Sequence, residues 1–503
     1  MTRSPHARLR PLGAGLIAAA VLTVTACGSQ LSADEVAAAR GGDSIALESA
    51  DTGSSGEVVG ATGDPGAIGG DTGTTSGDPG APVAGGTGGG TGSTSTGGDT
   101  GGASGGTTGE SPAAPSEQGT STGPCDLPKA PGITDSEIVI ANASDISGAV
   151  PGLFKSSQDA MLSYVNYFNR TSDICGRKLK LLELDSRGDA AADQQNYARA
   201  CTEAFAMVGS TSIVDSGGAA TAQNCKLPDL RALALTRTRT LCSTCYSAQA
   251  QEIGVAGNYT YKEIERLHPG VKSSAAFLYL NTGGSPDLGK SFSEAAKSVG
   301  YNVKILRGIE VAEFNYTSYV QEMKEADIKF VYFVAATPMV VRLAQAFQQQ
   351  SWKPEVLIVT QTQYTDEFVE LGGSAINGTY LALAHPLFTT PGNKEMANYL
   401  GWLNQTRPGS GPTSFGVFSW SAARLFTTLA SELRENLTRE NLLAAIKKQR
   451  KWTGLGMHPP MDVGGKQTYT CATIARLKGS TWRKANRGEY ACGDLVRTSV
   501  AKG

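Results

Sequence analysis

Short apolar runs alternate with helical patterns twice along the chain after residue 130, and this alternation restricts the possible fold more than any other feature. The first series predicts strands over 137–143, 179–184, 212–215 and 233–235, with helices over 157–169 and 190–207 and a third helix that begins at 216–221. The second series predicts strands over 274–280, 303–306, 330–335 and 356–359, with helices over 292–299, 316–324 and 338–349. Strands separated by helices are typical of parallel sheets covered on both faces. We therefore predict an α/β protein with two doubly wound parallel-sheet lobes around a cleft, lobe 1 over about 133–260 and lobe 2 over about 271–385.

The last part of the chain predicts a long helix over 414–435, a shorter helix over 439–448 and a strand over 468–477. We assign these C-terminal helices to lobe 1. The 375 residues from 129 to 503 are enough to bury the cores of two lobes. Basic side chains outnumber acidic ones by only 40 to 33 in this part, so its charge excludes a nucleic-acid binder with a broadly basic surface.

The composition of residues 27–124 excludes a packed core. Residues 51–110 contain 23 glycines in 60 positions, and no lysine or arginine occurs over 41–128. Such a segment buries too little apolar surface to offset its backbone entropy. A disordered tether over 27–124 is therefore predicted, followed by a folded body over 125–503.

The first 26 residues predict an export signal, because three arginines precede an apolar run over 12–26 that is too short for an ordinary transmembrane helix. The run ends in Val24-Thr25-Ala26-Cys27-Gly28, which resembles the lipobox of bacterial lipoproteins. This resemblance implies lipidation of Cys27 and a chain anchored to the outer side of a bacterial cell membrane rather than spanning it. The alternative is an ordinary secretory signal that ends near a chance cysteine.

Eight cysteines remain besides Cys27, and an even number in an exported chain predicts disulfides. Eight cysteines allow 105 connectivities, so only proximity along the chain favours particular pairs. It favours Cys242 with Cys245 and Cys471 with Cys492, and next Cys201 with Cys225 and Cys125 with Cys175. The Cys-x-x-Cys lacks the surroundings of a thioredoxin-like redox pair, and a zinc site needs two further close ligands. No metal or cofactor is predicted.

One run, Val214-Asp215-Ser216-Gly217-Gly218, is similar to the nucleophile segment of chymotrypsin-like proteases. Each of the three histidines after the signal precedes a proline, a position that favours turns. The strand–helix alternation also does not suit a β-barrel protease, and no phosphate-binding or dinucleotide fingerprint occurs. We therefore do not predict an enzyme.

Five short motifs keep an order and spacing that point to one family. They are Ser147-Gly148 after the first strand, the turn Cys175-Gly176-Arg177-Lys178-Leu179, Asp185 at the end of the second strand, the helix start Asn315-Tyr316-Thr317-Ser318-Tyr319 and the strand Phe330-Val331-Tyr332-Phe333. Together they resemble type I periplasmic solute-binding proteins of the leucine/isoleucine/valine-binding group, the receptors of ABC importers. The resemblance covers about 133–465. It implies two lobes that capture a small polar solute in the cleft and deliver it to an ABC permease.

The resemblance also implies where the ligand binds. In open α/β sheets a ligand lies beyond the carboxyl ends of the strands, where helix N-termini present unpaired N–H groups. In lobe 1 the implied site for a ligand carboxylate is the start of the third helix, which contains Ser216, Gly217, Gly218, Ala219 and Thr221. Thr236 is a further implied polar contact in this lobe. In lobe 2 the implied contacts are Ser285, Thr337, Gln361 and Tyr364, and at the entrance they are Ser147 and Phe154.

The chain departs from the amino-acid receptors of this group at several positions. Thr337 and Ser285 stand where tyrosines are expected, and Gln361-Thr362-Gln363-Tyr364 offers no carboxylate before Asp366. A buried ammonium without a carboxylate partner is unfavourable. The sequence therefore leaves an α-amino acid, an amide, a neutral polar molecule and a carboxylate open as ligands.

Two alternatives without transport also stay open. One is a lipoprotein that senses a ligand or docks an envelope partner. The other is an interaction protein whose cleft is vestigial, which predicts a sealed or apolar cleft.

Overall fold

The computed structural model describes residues 123–502. The predicted export signal, the lipidation site Cys27 and almost all of the predicted tether lie outside the described residues, so they stay predictions. Among residues 123–502, no helix has the length and apolar character that crossing a membrane requires. This part of the chain forms two α/β lobes, as the alternation of strands and helices predicted.

Lobe 1 is built on a parallel sheet of five strands. In chain order they are β1 (Glu137–Ser144), β2 (Lys178–Asp185), β3 (Ala206–Val208), β4 (Asp229–Arg231) and β5 (Cys245–Ser247). They lie side by side in the order β2-β1-β3-β4-β5. The connecting helices are α1 (Lys155–Thr171), α2 (Ala190–Glu203), α3 (Ala219–Asn224) and α4 (Arg237–Leu241). One face of the sheet packs against α1 and the other against α2 and α3, so the sheet is doubly wound.

Lobe 2 repeats this plan with a larger sheet. Its parallel strands are β7 (Ala275–Leu280), β8 (Val303–Ile309), β9 (Phe330–Val334), β10 (Val356–Val359) and β11 (Tyr380–Leu383), preceded in the chain by β6 (Val255–Gly257). Its helices are α5 (Tyr259–Leu267), α6 (Ser285–Lys297), α7 (Thr317–Glu325), α8 (Thr337–Gln349) and α9 (Asp366–Gly372). The face under α5 and α6 and the face under α7, α8 and α9 are both buried.

The C-terminal part serves both lobes. Helices α10 (Lys394–Thr406), α11 (Ser414–Leu433) and α12 (Arg439–Lys447) share the lobe 1 core. The chain then returns to lobe 2, where β12 (Cys471–Lys478) extends the sheet antiparallel to β11. The strands β13 (Thr481–Lys484) and β14 (Ala491–Cys492) pair with β12, and β15 (Leu495–Arg497) pairs with β6. The chain therefore passes between the lobes three times.

All eight cysteines after the signal form disulfides within residues 123–502. The pairs are Cys125–Cys175, Cys201–Cys225, Cys242–Cys245 and Cys471–Cys492. This is the set of pairs that proximity along the chain favoured.

Two strands predicted for lobe 1 are wrong. Residues 212–215 and 233–235 form loops. The third and fourth strands are instead β3, which overlaps the end of the predicted helix 190–207, and β4. No glycine, proline or other turn-forming residue separates α2 from the run 206–208, so the sequence pattern predicted one continuous helix across both. The sequence of β4, Asp-Leu-Arg, places two charged side chains in a strand of three residues.

These charged side chains are buried because they belong to an ion network under the sheet. Arg231 and Arg239 are fully buried, and Arg239 donates hydrogen bonds to Asp193 (2.7 Å), to Asp229 (3.0 Å) and to the backbone carbonyl of Asp215 (2.7 Å). The guanidinium of Arg231 lies 3.5 Å from the carboxylate of Asp215. Buried charges persist only when they are paired. Each arginine therefore occupies a core position where a prediction from hydrophobic patterning expects an apolar residue.

Helix α6 begins seven residues before the predicted start at 292. Gly284 is its N-cap, Pro286 lies in the first turn, and Asp287 adds an acidic side chain near the positive end of the helix. All three are helix-start signals. The earlier start places Ser285 and Leu288 in the helix turn that faces lobe 1.

Candidate functional site

A cavity of about 180 Å³ lies between the lobes. Its lobe 1 wall consists of segments that follow the strands, with Asp145 after β1, Arg187 after β2 and Gln249 after β5. Its lobe 2 wall is formed in the same way, with Thr282 after β7 and Gln361 after β10. The carboxyl ends of both sheets therefore meet at one cavity, as expected for ligand sites in open α/β sheets.

Most of the cavity wall is hydrocarbon. The large apolar side chains that line it are Val150, Leu153, Phe154, Ile213, Leu233, Leu235, Leu280, Leu288, Phe292, Val311, Val334 and Phe415. Phe154 and Phe415 pack edge to face with their ring centroids 4.7 Å apart. The wall is therefore more apolar than the polar contacts implied by the sequence.

Four of the twelve predicted ligand-binding residues line this cavity: Ser147, Phe154, Ser285 and Gln361. The other eight do not line it: Ser216, Gly217, Gly218, Ala219, Thr221, Thr236, Thr337 and Tyr364. The sequence also missed Arg187, Gln249 and the apolar wall, although Arg187 follows a strand end that was predicted correctly.

The start of α3 is directed into lobe 1 rather than toward the cavity. The N–H of Gly218 donates to the carboxylate of Asp193 (2.8 Å), so this helix terminus already has an anionic partner. A Cβ at Gly217 would lie 1.8 Å from the carbonyl oxygen of Ala190, which shows how closely the segment packs on α2. The protease-like run lies in this same loop.

Thr236 and Tyr364 are also committed to contacts within the protein. The hydroxyl of Thr236 accepts from the N–H of Arg239 as the N-cap of α4 and donates to Asp215. The hydroxyl of Tyr364 accepts from the N–H of Phe388 (3.0 Å), and burial raises the pKa of Tyr364 to about 12. Thr337 is buried at the first residue of α8.

The lobe 1 wall is held in place by two carboxylates. Asp145 accepts from the N–H groups of Gly188 and Ile213, each at 2.8 Å, and burial raises its pKa above the ordinary value. Asp185 accepts from the N–H of Ile146 (3.0 Å) and from the hydroxyl of Ser147 (2.5 Å). Ser147 therefore lines the cavity with a hydroxyl that already has a carboxylate acceptor.

The two lobes contact one another across the cleft. Gln249 and Gln361 form a reciprocal amide pair, with N···O distances of 3.2 and 2.8 Å. Beside the cavity, the N–H of Gly284 donates to the carbonyl of Ile213 (3.3 Å). A Cβ at Gly284 would lie only 1.9 Å from the carbonyl oxygen of Leu235, so the lobes meet here backbone to backbone. The structure is thus a closed form.

Residues 137–483 match the profile of the family described as periplasmic binding protein. Because the match covers more than half of the chain, this protein belongs to the periplasmic binding protein family. That is a family of solute-binding receptors, and its structural relatives include substrate-binding proteins of ABC transporters. No match to the chain was found among curated proteins.

Three solved structures illustrate the fold. A fatty acid ABC transporter substrate-binding protein from Thermomonospora curvata is 17% identical with a TM-score of 0.62, covering 76% of this chain and 98% of its own. A branched-chain amino acid transporter substrate-binding protein from Streptococcus pneumoniae, in complex with isoleucine, is 13% identical with a TM-score of 0.58, covering 69% and 98%. An ABC transporter solute-binding protein from R. palustris, in complex with 4-hydroxybenzoate, is 14% identical with a TM-score of 0.59, covering 72% and 96%. At these identities the likeness shows the fold.

Proposed function

We propose that this chain is an extracytoplasmic receptor of an ABC importer, anchored by a lipid on Cys27, and that it encloses a small and largely apolar solute between its lobes. The observation that supports this proposal most directly is the cavity of about 180 Å³ at the carboxyl ends of both sheets. A cavity of about 150 Å³ lined by aliphatic and aromatic side chains is large enough to bind benzene. The cavity between the lobes is therefore large enough for a ring or a short aliphatic chain.

The lining argues against a free amino acid. Asp145 is the single carboxylate among the residues that line the cavity, and both of its oxygens already accept backbone N–H groups. An α-ammonium group would then be buried without a free carboxylate partner, which is unfavourable. Of the three similar structures, two are named for a fatty acid or 4-hydroxybenzoate and one for isoleucine, so apolar acids have precedents in this fold.

The apolar lining also agrees with what a vestigial cleft predicts. The volume of the cavity favours the receptor, because close-packed protein interiors leave few voids larger than a water molecule. The cleft also keeps polar groups in its wall, such as Thr282 and Ser285. A vestigial cleft needs neither feature.

Thermal unfolding tests the proposal. The chain from residue 27, made with Cys27→Ser so that it stays unlipidated, is mixed with short fatty acids, aromatic acids, alcohols and amino acids. A ligand at 100 times its dissociation constant adds about 2.7 kcal/mol, and large domains gain about 2–4 °C per kcal/mol. We expect a selective shift of roughly 5–10 °C with an apolar compound. A flat response, from protein shown by native mass spectrometry to carry no ligand, would contradict the receptor.

A matched pair of variants locates the site. Leu288→Trp fills the cavity from α6 and should abolish the shift, whereas Leu306→Trp, at an exposed position of β8, should leave it unchanged. The anchor is tested separately in cells. The wild-type chain should incorporate labelled palmitate, and Cys27→Ser should not.

A further inference from the structure

We infer that the solute carries one carboxylate, which pairs with Arg187, on an otherwise apolar body. This inference rests on the proposed receptor function and names the class of its ligand. Arg187 is the single basic residue among those that line the cavity. Within residues 123–502, its guanidinium forms no hydrogen bond or ion pair with the protein.

The backbone of Arg187 is fixed by its surroundings. Its backbone is left-handed, with φ of 53°, and its N–H donates to Asp185 (2.9 Å). A Cβ at Gly148 would lie 2.1 Å from the carbonyl oxygen of Arg187, so the loops after β1 and β2 are in direct contact. Left-handed backbone is uncommon outside glycine and asparagine, and such strain concentrates at functional sites. An arginine held in this conformation at the edge of a cavity is the observation that carries the inference.

The protein leaves no carboxylate free to neutralise this arginine. The nearby Asp145 and Asp185 each accept backbone N–H groups on both oxygens. A guanidinium binds a carboxylate strongly through paired N–H groups. The carboxylate of an entering ligand would therefore meet a guanidinium that has no partner among the described residues.

The exposure of the lining residues indicates how the ligand is oriented in the cavity. Arg187 is exposed, whereas Leu233 and Leu280 are buried. The carboxylate would bind at the mouth of the cavity and the apolar body would point inward. A second charge on the ligand would face hydrocarbon, which is unfavourable. A monocarboxylate of the size of a short fatty acid or benzoic acid fits this arrangement.

Isothermal titration with matched probes tests the inference, using the unlipidated chain described above. Octanoate is compared with 1-octanol, and benzoate with benzyl alcohol, because each pair shares its apolar body. Arg187→Asn removes the cation but keeps a residue that tolerates left-handed backbone. We expect Arg187→Asn to weaken binding of the better acid roughly tenfold, the size of one charge-assisted hydrogen bond. Binding of the matching alcohol should not change.

Two further variants separate charge from structure. Arg187→Lys keeps the cation and should recover part of the lost affinity, whereas Arg483→Asn, at an exposed position of β13, should have no effect. Arg187→Asn should unfold at the wild-type temperature or above it, because it relieves a left-handed arginine. Added salt should weaken binding of the acid to the wild type and not to Arg187→Asn.

The outcomes distinguish this inference from the proposed function. Equal binding of acid and alcohol, unchanged in Arg187→Asn, would overturn the carboxylate while the receptor for apolar solutes stands. Binding of leucine alone would overturn the otherwise apolar ligand in both the inference and the proposed function, because leucine carries an ammonium group beside its carboxylate. Binding of none of these probes would overturn the inference together with the receptor.

Discussion

The two lobes fill equivalent space under their sheets with different chemistry. In lobe 1, the face under α2 and α3 combines small residues such as Ala141 and Ala200 with the buried guanidiniums of Arg231 and Arg239. In lobe 2, the face under α5 and α6 is filled by aromatic rings, with Phe330 at the centre of contacts 5.0–6.2 Å long between ring centroids. The ion network depends on the pairing of its charges, whereas the aromatic cluster depends on volume. Removal of a single side chain should therefore lower the free energy of unfolding by different amounts in the two lobes.

Removing one member of the ion network should have the largest effect. Arg239→Met leaves Asp193 and Asp229 buried without their main partner, and breaking a buried ion pair from one side costs about 3–5 kcal/mol. We expect a loss of that size in the free energy of unfolding, measured with urea. The control is Arg199→Met, an exposed residue of α2 whose pair with Glu203 is worth about 0.5 kcal/mol or less. Equal losses in both variants would show that the network does not stabilise lobe 1.

The lobes also differ in how much of them the sequence predicted. In lobe 2, all four predicted strands match within a few residues, since each is an apolar run bounded by turn residues. In lobe 1, β4 was missed because its Asp229 and Arg231 also pair with charged residues outside the strand. Hydrophobic patterning cannot detect such partners.

The missed strands account for much of the difference between the predicted site residues and the residues that line the cavity. Ser216 and Thr236 were placed at strand ends that do not exist, and neither lines the cavity. Ser147, Ser285 and Gln361 follow strands that were predicted correctly, and all three line the cavity. The apolar character of the cavity had no local signal, because Leu233 and Leu235 formed what the pattern predicted as a strand and are in fact loop residues of the wall.

The segment that connects the lobes should respond to pH. His385 follows β11 and His458 precedes β12, and both are buried against α11, each with Nε2 2.8 Å from a serine hydroxyl. Each Nδ1 faces the carbonyl oxygen of the following proline, which only accepts, so the neutral ring with its proton on Nδ1 satisfies both contacts. Burial lowers the pKa of His385 and of His458 to about 4.

Because the pKa of each histidine is lower in the folded chain, the free energy of unfolding should decrease as the pH falls. A histidine in the unfolded chain has a pKa of about 6.5. The stabilising contribution of each buried neutral ring is therefore complete above a pH of about 6.5 and is lost as the pH falls toward 4. The loss is roughly 3 kcal/mol for each ring. Urea unfolding at pH 7 and pH 5 measures the change. In His458→Gln the difference between the two pH values should shrink; an unchanged difference would assign the acid sensitivity to other groups.

Contact between the lobes should be more sensitive to a methyl group than either lobe alone. Gly284 has φ of −81°, which alanine adopts freely, so Gly284→Ala should leave lobe 2 folded. In the closed form its Cβ would lie 1.9 Å from the carbonyl of Leu235, so closure must be impaired. We expect octanoate affinity to fall about tenfold, which corresponds to about 1.4 kcal/mol. Gly401→Ala, with no atom within 4 Å of the added Cβ, is the control, and equal affinities in the two variants would show that closure tolerates the methyl group.

The aromatic face of lobe 2 should give the smallest change. Phe330→Leu keeps an apolar side chain and loses ring contacts, which are worth about 0.5–1.5 kcal/mol beyond the buried area. We expect the free energy of unfolding to fall by about 1 kcal/mol, independent of pH, because no charge is uncovered. Phe314→Leu, an exposed position 70% accessible to solvent, should change it by less than about 0.5 kcal/mol. If Phe330→Leu destabilised the chain as strongly as Arg239→Met, the distinction between a face that needs paired charges and one that needs volume would fail.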